Sequence, residues 1–257
     1  MALLRCDFFA ETLGLSTSMT VILPQETSRQ IGMAGSSRPD VPVLYLLHGL
    51  SDDDTIWSRR TSIERYVAPL GIAVVMPQVH TSFYADEVHG MPFWTFLTEE
   101  LPELVHGFFR TSTQREDTFV AGLSMGGYGA MKWALREPHR FAAAASLSGA
   151  LGLSDQHGGE DPAFRALLDR AFGDLPIAGS GNDVRHLVRT SDPSSLPALY
   201  VACGTDDFLY GESLAFIEDA RSTGIDLTTS LGAGDHDWAY WDREIQDVLA
   251  WLPLRAS

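Results

Sequence analysis

One serine lies among three glycines in the segment with the clearest chemical potential. The sequence reads Gly-Leu-Ser-Met-Gly over residues 122–126, with another glycine at position 127, and it matches the G-x-S-x-G pattern of a nucleophile elbow. In such an elbow a strand turns sharply into a helix, and the serine hydroxyl stands exposed at the turn. An apolar run precedes Ser124 and a helix-like run follows it. We therefore predict that Ser124 is a nucleophile and that the Met125 amide faces the oxyanion formed on a substrate carbonyl.

A serine hydroxyl becomes a good nucleophile only when a neighbouring base takes its proton. Eight histidines are present in the chain. In enzymes with a nucleophile elbow, the acid and then the histidine follow the serine in the sequence. Only His236, in the segment GDHDWAYW, lies beyond the last predicted strand, so we predict that His236 is the general base.

The acid that orients this histidine is expected directly after the preceding strand. Asp206 and Asp207 both follow the apolar run that ends at residue 204. A buried carboxylate here would hold the tautomer of His236 and stabilise its charged form. The pattern alone does not distinguish between the two adjacent aspartates.

A second amide donor for the oxyanion is expected after the apolar run VLYLLHG. His48 ends this run, and Gly49 allows the backbone to approach the substrate closely. The N–H of Leu50 is therefore predicted to be the second donor, opposite Met125. His48 is expected to shape this loop, because it precedes the nucleophile in the sequence.

The elements that must position these residues alternate between strand-like and helix-like runs. Several of the strand-like runs are apolar throughout, which is typical of central strands covered on both faces. Alternation of strands and helices predicts an α/β fold with a mostly parallel sheet and helices on both faces. The predicted strands lie within residues 19–24, 41–49, 71–77, 117–122, 142–149, 197–204 and 226–232.

The whole chain, residues 1–257, is predicted to form one domain, because a single α/β domain often reaches this length. One long segment departs from the alternation of strands and helices. Residues 151–195 carry at most one or two helical patterns. Long excursions of this kind are often lids over active sites, so we predict that this segment is a cap insertion.

The charge of the chain limits the classes of partner. It holds 18 basic and 34 acidic residues, for a formal net charge of −16. Such a charge disfavours binding to nucleic acid and to anionic membranes. The N-terminal stretch has acidic residues where a signal peptide would be apolar, so we expect a cytoplasmic protein. A small-molecule substrate is the expected partner, and no cofactor or metal is predicted.

Several long segments together resemble the esterase D branch of the α/β-hydrolases. They include VLYLLHGLSDDDTIWSRRTSIERY, AGLSMGGYGAMKWAL, CGTDDFLY and GDHDWAYW, and they extend over nearly the whole chain. Within this branch the chain is most similar to the bacterial tributyrin esterases, which act on short acyl esters. Because the acid of these relatives directly precedes Phe-Leu, the resemblance favours Asp207 over Asp206. It also supports Ser124 and His236 as catalytic residues and the amides of Leu50 and Met125 as oxyanion donors.

The resemblance leaves three local features open. The run Asp52–Asp54 is expected to be a solvated loop rather than a cation site, because no further ligands at recognisable spacing accompany it. Trp57, Trp238 and Trp241 are predicted to contact the substrate, although aromatic residues more often belong to the core. Homo-oligomers are compatible with the resemblance, but no interface can be identified from the sequence.

Together these observations predict a serine carboxylesterase that hydrolyses short-chain acyl esters, such as tributyrin, acetyl or aryl esters, through an acyl-enzyme. Two alternatives within enzymes are a thioesterase of the S-formylglutathione hydrolase type and a feruloyl or acetyl-sugar esterase. The alternative outside enzymes is a binding protein that keeps the hydrolase fold without activity. The complete set of serine, aspartate and histidine argues against this last alternative.

Overall fold

A computed structural model of the protein describes residues 1–155 and 161–255. Its framework in this part of the chain is one sheet of eight strands. The strands are β1 (Ala2–Ala10), β2 (Leu15–Leu23), β3 (Val43–Leu47), β4 (Ala73–Pro77), β5 (Thr118–Leu123), β6 (Ala143–Leu147), β7 (Ala198–Gly204) and β8 (Thr228–Gly232).

The order of strands across the sheet is β1-β2-β4-β3-β5-β6-β7-β8. The strands β3 to β8 run parallel, whereas β2 is antiparallel to both β1 and β4. Both β3 and β6 are buried along their whole length and β5 from its second residue, which agrees with their continuous apolar sequences. The predicted mostly parallel α/β fold is confirmed.

Helices cover both faces of the sheet. The α-helical segments are α1 (Ile56–Arg60), α2 (Ile63–Val67), α3 (Phe93–Thr95), α4 (Leu101–Phe108), α5 (Met125–Arg136), α6 (Pro162–Phe172), α7 (Val184–Thr190), α8 (Tyr210–Ser222) and α9 (Trp238–Trp251). A π-helical turn (Phe96–Glu100) joins α3 to α4. Helices α1, α2 and α9 pack into one hydrophobic core, and α4 to α8 pack into the other. Among the described residues, no helix has the length and apolarity needed to span a bilayer.

The first strand, β1, was absent from the sequence prediction. It forms a hairpin with β2, in which Ala10 pairs with Leu15 and Gly14 takes a left-handed φ of 65° in the turn. As an edge strand, β1 is largely exposed along its length, and its sequence therefore lacks the apolar continuity that identified the central strands.

The predicted insertion, residues 151–195, contains α6 and α7 in its described part, and residues 156–160 lie outside the described residues. Arg170 at the end of α6 donates to Glu87 Oε1 at 2.7 Å and to Thr81 Oγ1 at 2.6 Å. These bonds tie α6 to the loop that follows β4. The role of the insertion as a cap stays a prediction.

The expectation of a solvated loop at Asp52–Asp54 was wrong for its last residue. Asp54 is only 3% exposed. Its carboxylate accepts hydrogen bonds from Ser18 at 3.1 Å and Thr20 at 2.9 Å, both on β2, and it lies 3.6 Å from an Arg5 nitrogen. Because these donors satisfy the carboxylate, Asp54 joins the loop after β3 to the sheet. The described residues contain no cluster of three or more groups that could hold a metal ion.

Replacing this buried carboxylate should destabilise the fold. In Asp54→Ala the hydroxyls of Ser18 and Thr20 lose their buried acceptor, so we expect a loss of about 2–3 kcal/mol in the free energy of unfolding, measured by urea denaturation. The matched control is Asp53→Ala. The Asp53 side chain is 41% exposed and accepts from Thr55 N–H at 2.9 Å, so its loss should cost about 1 kcal/mol or less. Equal losses in both variants would contradict this account of Asp54.

Candidate active site

The residues singled out from the sequence meet at one edge of the sheet. Parallel strands β3, β5, β7 and β8 all end at this edge, because their carboxyl ends point the same way. Ser124 directly follows β5, Asp207 follows β7 and His236 follows β8. Ligands of open α/β sheets bind at this edge, so the topology places the three side chains where chemistry is expected.

Ser124 has an unusual backbone conformation, with φ 53° and ψ −117°. Three hydrogen bonds hold this backbone. Ser124 N–H donates to Leu147 O at 2.9 Å, and Ser124 O accepts from Tyr128 N–H at 3.0 Å and from Ala150 N–H at 3.2 Å. The turn also needs Gly126, because a Cβ there would lie 2.7 Å from His48 O. The glycine therefore lets the start of α5 lie directly against the chain that leaves β3.

His236 connects the other two side chains. Its Nε2 lies 3.1 Å from Ser124 Oγ, and its Nδ1 lies 2.9 Å from Asp207 Oδ2 and 3.1 Å from Oδ1. Because a carboxylate only accepts, Nδ1 carries a proton and donates it to Asp207. In the tautomer with this single proton, Nε2 presents its lone pair to the serine hydroxyl.

Asp207, rather than the exposed Asp206, is the aspartate that contacts His236. Its side chain is completely buried. Burial by itself raises the pKa of Asp207, but hydrogen bonds from His236 and from Leu209 N–H, with a further contribution from Ser148, lower the pKa below its ordinary value. The carboxylate is therefore charged at neutral pH, as required to hold the Nδ1 proton.

Ser148 was not identified from the sequence. It follows β6, is fully buried and has a left-handed φ of 47°. Its Oγ accepts a hydrogen bond from Trp241 Nε1 at 3.1 Å, and the ring of Trp241 lies edge-on to the His236 ring at 4.9 Å. Because serine has no distinctive role at strand ends, the sequence held no signal that this one contacts Asp207.

The two residues whose amides are predicted to face an oxyanion lie close to Ser124. A Cβ on Gly49, next to Leu50, would lie 3.8 Å from Ser124 Cβ, and Met125 directly follows the serine. Within the described residues, neither the Leu50 N–H nor the Met125 N–H donates to a protein acceptor. Met125 is also the first residue of α5, where amides lack partners within the helix.

The predicted aromatic contacts lie at different depths. Trp57 is 1% exposed and donates from Nε1 to Leu47 O at 3.1 Å. Trp238 is half-buried and contacts the rings of Trp57 and Trp241 at 5.3 and 5.2 Å. Phe208, which the sequence analysis did not single out, is 76% exposed and its ring lies 4.6 Å from that of His236. Whether the three tryptophans contact a substrate stays a prediction.

Comparison with known proteins identifies the family. The profile of the family described as "Putative esterase" matches residues 10–252. The chain is 30% identical to an acetyl esterase of Caldicellulosiruptor saccharolyticus, with 98% of both chains covered. It belongs to this esterase family.

Solved structures agree with this assignment. A fluorophosphonate-binding serine hydrolase of Staphylococcus aureus, FphF, superposes with a TM-score of 0.86 at 35% identity over 98% of both chains. An S-formylglutathione hydrolase from Staphylococcus aureus gives a TM-score of 0.83 at 33% identity, again over 98% of both chains. The protein is therefore an esterase with the α/β-hydrolase fold, an enzyme that acts on carboxylic ester bonds, and the resemblance seen in the sequence is confirmed.

The lowered pKa of Asp207 predicts a specific dependence of stability on pH. Because the folded-state pKa lies below the unfolded value of about 3.9, the charged carboxylate stabilises the fold above that pH, and this contribution is lost as the pH falls through the folded-state pKa. Asp207→Asn lacks this titration. Between about pH 5 and 3, the free energy of unfolding should therefore fall more steeply in the wild type than in the variant. Urea denaturation at several pH values measures both slopes, and parallel slopes would contradict the prediction.

Proposed function

We propose that the protein is a serine carboxylesterase that hydrolyses short-chain acyl esters through an acyl-enzyme on Ser124. The observation that carries the proposal is the pair of contacts made by His236, 3.1 Å from Ser124 Oγ and 2.9 Å from Asp207 Oδ2. Acyl transfer by a serine requires a nucleophile that is hydrogen-bonded to a base, and a buried carboxylate that orients this base.

In the proposed first half-reaction, Ser124 Oγ attacks the ester carbonyl carbon while His236 Nε2 takes the hydroxyl proton. The negative charge that forms on the carbonyl oxygen is stabilised by the amides of Leu50 and Met125. Asp207 stabilises the charged imidazole and holds its Nδ1 proton. The tetrahedral intermediate collapses when Nε2 returns the proton to the leaving alcohol oxygen.

The second half-reaction repeats these roles with water. His236 takes a proton from water, the hydroxide attacks the acyl carbon, and the same two amides stabilise the second oxyanion. Collapse of this intermediate breaks the bond between the acyl carbon and Ser124 Oγ, and His236 returns the proton to the serine. The products are a carboxylic acid and the free enzyme.

A short acyl group is supported by the acetyl esterase named above, to which the chain is 30% identical with 98% of both chains covered.

A second candidate is a thioesterase that acts on S-formylglutathione. It is supported by the match to a solved S-formylglutathione hydrolase at 33% identity. Both reactions would use the same nucleophile, so substrate comparison separates them. Values of kcat/KM on tributyrin, S-formylglutathione and methyl ferulate distinguish a short-chain esterase from the thioesterase and from a feruloyl esterase. A cytoplasmic location and a homo-oligomeric state stay predictions beside this proposal.

Removal of the serine hydroxyl tests the proposed nucleophile. Ser124→Ala should lower kcat on p-nitrophenyl acetate by about 10⁴-fold or more, because only binding and the oxyanion donors remain. A fluorophosphonate probe should label the wild type and leave the variant unlabelled. Ser146→Ala on β6 serves as the control, since Ser146 Oγ is buried and has no hydrogen-bond partner in the described part of the chain. Undiminished turnover by Ser124→Ala would refute the proposal.

The exposed ring beside His236 predicts a preference among leaving groups. An aryl group departing next to His236 can pack on Phe208, and such a ring pair contributes about 1 kcal/mol. Phe208→Ala should therefore lower kcat/KM for phenyl acetate about fivefold relative to ethyl acetate. Phe9→Ala removes another exposed phenylalanine, 54% exposed on β1, and should leave the ratio unchanged. If the two substrates lose activity equally in Phe208→Ala, the ring has no role in recognising the leaving group.

A further inference from the structure

The loop between β3 and Leu50 is held at three consecutive carbonyl groups. Leu47 O accepts from Trp57 Nε1 at 3.1 Å, His48 O accepts from the Tyr84 hydroxyl at 2.8 Å, and Gly49 O accepts from His48 Nδ1 at 2.7 Å. Each donor is a buried side chain. These bonds fix the peptide planes that lead to the Leu50 amide.

The direction of the Leu50 N–H follows from this arrangement. In a trans peptide the carbonyl oxygen and the next N–H point in opposite directions. Because Gly49 O points at the His48 ring, the Leu50 N–H points away from that ring. His48 can donate from Nδ1 because its Nε2 accepts from Val79 N–H at 3.2 Å, and burial lowers the pKa of His48 so that the ring stays neutral.

The Tyr84 hydroxyl is the donor that comes from the most distant part of the sequence, 36 residues from His48. Tyr84 is fully buried and has a left-handed φ of 50°, as does Phe83 before it. Non-glycine residues adopt this conformation only where the surrounding structure enforces it. The ring packs against α5 at Gly129, where an added Cβ would lie 2.7 Å from Tyr84 Cγ.

A buried lysine holds the other end of Tyr84. Lys132 on α5 is fully buried, and its Nζ donates to Tyr84 O at 2.8 Å and lies 4.6 Å from the centre of the Trp94 ring. Burial, together with the nearby charge of Arg136, lowers the pKa of Lys132 well below its ordinary value. Among the described residues it forms no ion pair. Burying an amine without a hydrogen bond costs free energy of folding. The bond from Lys132 Nζ to Tyr84 O offsets this cost.

We propose that Tyr84 is a positioning residue for ester hydrolysis: its hydroxyl holds the His48 carbonyl so that the Leu50 amide faces the oxyanion, and Lys132 holds Tyr84 in place. The inference rests on the proposed function, since it assigns a role only if Leu50 N–H stabilises the oxyanion. The start of α5 also lies close to this carbonyl, because a Cβ on Gly126 would lie 2.7 Å from His48 O. Without the hydroxyl, this carbonyl loses its donor and the loop loses one of its three anchors.

The experiment compares two tyrosines with the same local chemistry. Tyr84→Phe removes the hydroxyl that holds His48 O. Tyr128→Phe is the matched control, because Tyr128 is also fully buried and its hydroxyl donates at 2.8 Å to a backbone carbonyl, that of Asn182. The variant keeps the Tyr128 backbone N–H that donates to Ser124 O. Both variants should lose similar thermal stability, about 3–6 °C in Tm. A purely structural role for Tyr84 would make the two variants alike in every respect.

The kinetic result should differ between the variants. In Tyr84→Phe we expect kcat on p-nitrophenyl acetate to fall about 10–100-fold, with KM changed by less than about threefold, because the lost interaction acts mainly in the transition state. In Tyr128→Phe, kcat should stay within about twofold of the wild type. Phenylboronic acid, which forms a tetrahedral adduct with a serine nucleophile, should inhibit Tyr84→Phe more weakly by a similar factor. Equal kcat in the two tyrosine variants would overturn the proposal.

The remaining outcomes are also decisive. If Tyr84→Phe does not fold, Lys132→Met carries the test, because it removes the anchor of the Tyr84 carbonyl and keeps the hydroxyl. Lower kcat with unchanged KM supports the proposal, and unchanged kcat overturns it. The nucleophile is tested separately: if Ser124→Ala loses activity while Tyr84→Phe keeps it, the proposed function stands and the positioning role falls. If Ser124→Ala remains active, both fall.

Discussion

The site depends on a close approach between two backbone segments, the start of α5 and the chain that leaves β3. No side chain can separate them, because a Cβ on Gly126 would lie 2.7 Å from both His48 O and the Leu47 carbonyl carbon. This contact forces the sharp turn at Ser124, with its φ of 53°. A serine in this conformation costs about 1–3 kcal/mol, and the turn persists because three backbone hydrogen bonds hold Ser124.

His236, in contrast, lies in the loop between β8 and α9. The loop is fixed at both of its ends. Asp237 caps α9 by accepting from Tyr240 N–H at 2.8 Å, and Asp206 N–H donates to Gly234 O at 3.0 Å. Asp207 then fixes the ring itself. His236 is thus held by contacts to α9 and to the turn after β7, whereas Ser124 is held by contacts to β3 and β6.

Much of this arrangement could be predicted from local patterns. The elbow around Ser124 has its own glycine spacing, and His236 was identified by its position after the last strand. The choice between Asp206 and Asp207 could not be made from the pattern. Both follow the same strand, and which side chain points towards His236 depends on the conformation of the turn. The resemblance favoured Asp207, and the structure places that residue against His236.

Other features could not be predicted because the sequence around them carries no local signal. The exposed strand β1 gave no apolar signal. Asp54 looked like part of a solvated acidic loop. Its hydrogen-bond donors, Thr20 and Ser18, lie 34 and 36 residues away in the sequence, and only the fold brings them to it. Tyr84 and Ser148 take left-handed conformations that ordinary sequence patterns assign to glycine or asparagine. Such contacts arise from the strand order and not from local propensity.

Burial of a polar group does not by itself indicate a role in the site. Ser146 lies on β6 and Ser148 directly follows this strand, and both are fully buried. Ser146 Oγ has no hydrogen-bond partner among the described residues, whereas Ser148 accepts from Trp241 and contributes to the lowered pKa of Asp207. The same contrast separates Tyr84, whose hydroxyl donates to His48 O, from Tyr128, whose hydroxyl donates to Asn182 O. What distinguishes Ser148 and Tyr84 is therefore the group that each one contacts. In the proposed mechanism, Asp207 beside Ser148 and the Leu50 amide beyond His48 O both take part in the reaction.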